Sequence, residues 1–206
     1  MSSEPRSSRP NSAPPSFEQE VREHLRAHGL RHTDHTDAFY EMDFSILLSD
    51  AAHFHLELKE KRQHYAMEYW PAFAPEAELF ILDDLTVRKA LAFSPRAGVA
   101  VKDWRHNRYL FFSVVDLALM PRLRVNRKIA RNQPDVKGKW LIDLRNGRSA
   151  TTVADLIDQV RIYLENLHVT LFEEHGCYGA FTGETLGEGG TTRTAGYWDQ
   201  DVRDTR

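Results

Sequence analysis

The sequence has little that would tie it to an oxidising compartment or to a lipid bilayer. It has one cysteine, Cys177. A single thiol cannot form an internal disulfide, so an oxidising environment is not required. No run of about 18 apolar residues is found, so no membrane span is expected. The opening residues, MSSEPRSSRPNSAPPS, lack the apolar centre of a signal peptide. Cytoplasmic residence is therefore the expectation. Internal repeats are also missing. Aliphatic side chains are scarce at both ends, in residues 1–16 and 182–206. Segments of that composition bury too little to offset their ordering entropy, so both are expected to be disordered tails around a single domain over 17–181.

Between those ends the sequence alternates helical and extended patterns. Residues 16–30 read as a first helix, with Ser16 as N-cap, a stripe of Phe17, Val21 and Leu25, and Gly29 as the stop. Residues 42–49 and 52–60 read as two strands joined by a tight turn near Asp50, which is a hairpin signature. A strand over 79–84 follows, then a short helix over 85–93 that Asp84 could cap. Residues 98–104 and 108–119 read as strands, and 139–144 as another. The strongest helical pattern is 152–176, opened by a Thr152 and Asp155 capping pair and closed by Gly176. Helices before, between and after strands predict an α/β sandwich, with helices flanking one central mixed β-sheet.

The second strand carries the most informative pattern. His53, Phe54, His55, Leu56, Glu57, Leu58 and Lys59 alternate without a break. A strand sends successive side chains to opposite faces, so Phe54, Leu56 and Leu58 would be buried while Glu57 and Lys59 share the other face with the two histidines. In a hairpin with the preceding strand, Asp43 falls on the same face as Glu57. Two carboxylates a few ångströms apart repel, and a divalent cation relieves that repulsion. Hard oxygen ligands suit Mg2+ or Mn2+. Lys59 would then orient water or stabilise charge on a phosphate, which is the chemistry of phosphodiester hydrolysis.

A helix carrying Glu18, then Asp43, then Glu57-Leu58-Lys59 resembles the PD-(D/E)XK nuclease superfamily. The opening helix is similar to that of the Mrr and Holliday-junction-resolvase branch. Met42 stands where the superfamily name has a proline. The resemblance implies a restriction-endonuclease-like fold and a Mg2+-dependent (or Mn2+-dependent) endonuclease, with DNA as the expected substrate and a homodimer as a common assembly. It implies catalytic roles for Asp43, Glu57, Lys59 and Glu18. It also implies metal ligation by Asp43, Glu57 and the Leu58 carbonyl.

Charge distribution adds a candidate nucleic-acid surface. From Pro121 to Lys139 there are seven basic residues, Arg122, Arg124, Arg127, Lys128, Arg131, Lys137 and Lys139, against one acid, Asp135. That is a local +6 on a chain of net charge −3, an electrostatic footprint suited to phosphates. Lys102 and Arg105 could extend it, with Trp104 or Tyr109 available for base stacking. His53 and His55 could instead hold zinc, but Lys59 stands where a further imidazole would be needed. His24 and His28, four residues apart on the first helix, read as exposed histidines. Gln159 and Tyr163 match a Gln-x3-Tyr nuclease signature, yet lie far from Lys59 and fit the apolar stripe of their own helix. Two other classes stay open: a catalytically inactive nucleic-acid-binding module of the same fold, and a scaffold or regulatory protein whose basic segment docks an acidic partner.

Overall fold

The computed structural model describes residues 14–49, 52–128 and 136–167. The expectations for most of the first tail, for the second tail, for the last turns of the final helix and for Arg131 lie outside the described residues.

Helix α1 (Phe17–Ala27) forms as its pattern predicts. The Ser16 hydroxyl accepts from the Gln19 N–H at 3.2 Å, Phe17, Val21 and Leu25 are buried, and Gly29 takes a φ of 62° just past the end. That left-handed conformation is cheap only without a Cβ, so the glycine turns the chain back towards the sheet. A short strand β1 (His32–Asp34) follows, and then the predicted hairpin of β2 (Phe44–Ser49) and β3 (Ala52–Lys61). The hairpin is antiparallel, with Phe44 opposite Leu56 and Ile46 opposite Phe54.

Strand β4 (Leu79–Asp83) leads directly into α2 (Asp84–Ala92). The N-cap is Asp83; Asp84 is the first helical residue and spends its carboxylate on other partners. Strand β5 (Ala97–Asp103) then runs parallel to β3, with Glu57 opposite Val99 and Lys59 opposite Val101. A parallel neighbour needs a long crossover, and α2 supplies part of it. Strand β6 (Arg108–Ser113) returns antiparallel to β5.

Residues 114–119 differ from the strand expected for them. They form a helix, α3 (Val114–Leu119), because Ser113 and Asp116 make a reciprocal capping box. That box satisfies orphan backbone donors and outweighs the β-preference of two adjacent valines. The basic segment is largely extended. It pairs as β7 (Arg122–Lys128) and β8 (Val136–Asp143), antiparallel, with Arg124 opposite Trp140. Strand β9 (Arg148–Ala150) and helix α4 (Val153–Glu165) complete the described chain.

There are two sheets rather than the one expected. A six-stranded mixed sheet has the order β1-β2-β3-β5-β6-β9, and a three-stranded antiparallel sheet has the order β4-β8-β7. Alternation divides the core in two. Phe54, Leu56, Leu58, Ala100 and Phe111 face α1 and α4. Val99, Val101, Leu110 and Phe112 face the small sheet and α3. The mixed central sheet flanked by helices is an α/β architecture, as predicted. Among the described residues no helix is long and apolar enough to cross a membrane.

Candidate active site

Strand alternation sets the site. Because Phe54, Leu56 and Leu58 point into the core beneath α1, Glu57 and Lys59 point to the opposite side, towards α2. Asp43 directly precedes Phe44, the partner of Leu56, so continuation of the register sets it across from Glu57. Its Oδ2 accepts from the Leu58 N–H at 2.6 Å. Glu57 is 2% exposed. Lys59 Nζ donates to its Oε1 at 2.7 Å, and Lys89 Nζ from α2 lies 2.7 Å from its Oε2. Lys89 is aimed elsewhere, however: it donates to the Glu41 carbonyl at 2.6 Å, which leaves Glu57 Oε2 buried without an aligned donor.

These groups border a cleft of about 460 Å³, closed on the far side by Asp83, Asp84 and Gly138. Burial first, and the Glu57 charge second, push the Asp43 carboxyl up to about 6, against the pull of the Leu58 N–H, Lys59 and Lys89. An acid that resists ionising beside a buried carboxylate marks a place where added positive charge is stabilising. Asp43 and Glu57, whose Oε2 lacks an aligned donor, therefore fit a hard divalent cation. Among the described residues no group of three or more His, Cys, Asp or Glu is arranged to hold a metal, so any further ligands would be backbone, water or substrate oxygens.

Lys89 is the residue that sequence reading missed. Its signal was present, as a lysine set among the buried Thr86, Val87 and Ala90 of a short helix. A charged side chain on the buried face of a helix needs partners, and here they are the Glu57 carboxylate as counter-ion and the Glu41 carbonyl as hydrogen-bond acceptor.

Other predicted residues are placed elsewhere. Glu60 Oε1 accepts from the Phe17 N–H at 2.7 Å, which seats the start of α1 on the opposite face of β3 from the cleft. Glu18 is exposed there and does not line the cleft. Glu20, on the same helix, receives Lys102 and the Tyr109 hydroxyl, the latter at 2.9 Å. Lys102 is therefore a buried structural cation, 3% exposed, with its Nζ 3.4 Å from the Trp104 ring centroid. It is unavailable to phosphate, and Trp104 and Tyr109 are committed to the same cluster. Arg105 pairs with Glu76 at 2.9 Å.

His55, His24 and His28 each meet protein neighbours. His55 Nδ1 lies 2.9 Å from the Ser45 hydroxyl and its ring stacks on Phe93 at 4.0 Å. The rings of His24 and His28 lie 4.1 Å apart on α1. Tyr163 is buried, and its hydroxyl donates to the Pro95 carbonyl at 2.7 Å.

Within the basic ribbon, Arg122 stacks on Trp140 at 4.6 Å, Arg124 donates to Asp84 at 3.1 Å, and Arg127 donates to the Tyr69 carbonyl at 3.0 Å. Lys128 and Lys137 are exposed, and Lys137 lines the cleft. The ribbon thus borders the acidic centre, with some of its cations already engaged.

No protein-family model matches the chain, and no curated protein does. Among solved structures it is similar to that of D212, a nuclease from a fusselovirus, at 11% identity and a TM-score of 0.38, over 70% of this chain and 86% of that one. A likeness at that level adds no weight to the geometry, on which the functional reading rests.

Proposed function

We propose that the chain is a metal-dependent nuclease of the PD-(D/E)XK type, with a restriction-endonuclease-like core and DNA as its substrate. The observation that carries this reading is the convergence of Asp43, buried Glu57 and Lys59 on one cleft bordered by a basic ribbon. Asp43 and Glu57 would hold Mg2+ or Mn2+, with the Leu58 carbonyl as a third ligand by the resemblance. The ion, when bound, supplies charge compensation between the carboxylates and electrophilic assistance at phosphorus. Lys59, released from Glu57, orients water or stabilises the developing charge on the phosphate. Lys89 steadies Glu57 and ties it to the Glu41 loop. Lys128 and Lys137 are the cations best free to meet phosphates, with Arg124 and Arg127 behind them. A cytoplasmic homodimer belongs to the same reading.

The test is a cleavage screen in Mg2+ and Mn2+ over single-stranded, duplex and branched substrates, run beside Glu57→Ala and Lys59→Ala. Each substitution should abolish cleavage while the protein stays folded. Unchanged activity in either purified variant would sink the mechanism.

One observation favours a second reading. Both Glu57 oxygens already face an ammonium group, a neutralised arrangement that an inert nucleic-acid-binding module would also keep. That module would bind nucleic acid in a salt-sensitive way and cleave none of the substrates.

A further inference from the structure

The mouth of the cleft carries an unusual amount of exposed apolar surface. Phe39 is 69% exposed and Tyr40 82%. Phe39 lines the cleft together with two further exposed side chains, Leu85 and Val136. Single exposed apolar residues need no explanation, but several gathered around one polar cleft do. The Phe39 and Tyr40 rings meet edge to face, with centroids 5.1 Å apart at 83°. Such a pair presents two roughly perpendicular π-faces.

The loop that carries the pair is braced from both ends. The His35 N–H donates to the Asp43 carbonyl at 2.8 Å, and the Ala38 N–H to the His35 carbonyl at 2.7 Å. The Glu41 N–H donates to the Ala38 carbonyl at 3.2 Å, and the Glu41 carbonyl is the acceptor for Lys89. At its start, Arg22 donates to the Thr36 hydroxyl at 3.0 Å. The aromatic pair is therefore held at a fixed place relative to Asp43 and Lys89, with its rings left to solvent. Lys59, Arg88 and Lys137 border the same cleft, Lys59 paired with Glu57 and Arg88 with Asp84.

We infer that Phe39 and Tyr40 form a stacking platform for unpaired nucleobases, so that the cleft takes a single strand, overhang or flap in preference to continuous duplex. The inference rests on the nuclease reading and narrows its substrate class. In a duplex each base spends both π-faces on its neighbours and shows only its edges in the grooves. A face is free only where the strand is unpaired, and aromatic side chains bind such faces with little regard to sequence. Cations beside exposed rings complete the chemistry: phosphates to Lys137 and, on exchange of their carboxylate partners, to Lys59 and Arg88; bases to the rings. Phe39 lines the cleft that holds Asp43 and Glu57, so the base stacked on it would belong to a nucleotide close to the bond held there.

The test is binding in EDTA, where chemistry is silent. A fluorescently labelled oligothymidylate and a blunt duplex of equal length are titrated with wild type, with the Phe39→Ala, Tyr40→Ala double variant and with Phe39→Trp. Wild type should prefer the single strand. The double variant should lose about tenfold in single-strand affinity and little in duplex affinity. Phe39→Trp should keep the preference, and its added indole fluorescence should be quenched by the single strand and not by the duplex. Equal losses on both substrates, no loss on either, or a wild-type preference for duplex would overturn the inference. A separate cleavage assay in Mg2+ keeps the two readings apart. Cleavage without single-strand preference removes the platform and leaves the nuclease, whereas preference without cleavage does the reverse.

Discussion

Replacing Asp43 by Asn should make the metal-free protein more stable at neutral pH while abolishing the proposed reaction. The sign follows from proton linkage. An ordinary Asp carboxyl titrates near 3.8, and burial beside Glu57 raises that of Asp43 to about 6. Between those values the folded protein binds more protons than the unfolded chain, so stability falls as pH rises through the window. Above about pH 6 the full penalty of holding the carboxylate charged remains. At about 1.4 kcal/mol per pH unit it amounts to about 3 kcal/mol, and to about 2 kcal/mol after allowance for water in the open cleft. Asn removes the charge and keeps an acceptor for the Leu58 N–H, now at 2.6 Å from Oδ2. Urea unfolding in EDTA should show Asp43→Asn more stable than wild type by about 2 kcal/mol near pH 7.5, with the gain vanishing near pH 4. An equal gain at both pH values, or a loss near pH 7.5, would refute the reasoning. Added Mg2+ should raise the stability of wild type and leave the Asn variant unchanged.

Other consequences can be checked on the same samples. Lys89→Met removes the ammonium that faces Glu57 Oε2; Mg2+ affinity by calorimetry should rise several-fold, and unchanged or weaker binding would count against its place beside the ion. Lys102→Ala leaves Glu20 without its cation and should cost about 3 kcal/mol, yet leave the salt dependence of nucleic-acid binding intact; a reduced salt slope would return Lys102 to the phosphate surface. Lys61→Met strands the Glu76 and Ala77 carbonyls that its Nζ holds at 2.6 and 2.8 Å, with an expected loss of about 2 kcal/mol in urea. Gly98→Ala sets a methyl 2.6 Å from the Phe112 carbonyl oxygen and should destabilise by about 1–3 kcal/mol; a neutral result would mean that β5 and β6 separate more easily than their packing suggests.

Much of the site was legible because it is local. The hairpin, its faces and the Asp43–Glu57–Lys59 grouping follow from period-two alternation and a short turn. What was hidden depends on distant partners. Lys89 comes from another layer, and its role shows only when α2 folds back over β3. Lys102 looked like a surface cation until Glu20 and Trp104 closed around it. Strand β7 was masked by its own charge, because Leu123 and Val125 alternate with arginines on a half-buried strand, while most of its partner β8 was legible as the strand over 139–144. The strand expected over 108–119 holds for 108–113, and the helix over 114–119 was also legible. Ser113 and Asp116 spell a capping pair at the spacing that starts a helix, against the β-preference of the two valines that follow.

The register of β2 against β3 has a consequence for the population of molecules. A slip of one residue would carry Glu57 and Lys59 into the core and bring Leu56 and Leu58 out of it. No slipped conformer can therefore keep the fold and lose only the site. The apolar residues that make β3 stable also fix where its carboxylate points, so a sample should hold competent molecules and unfolded ones with little between. On heating, loss of the site and loss of the fold should trace a single transition.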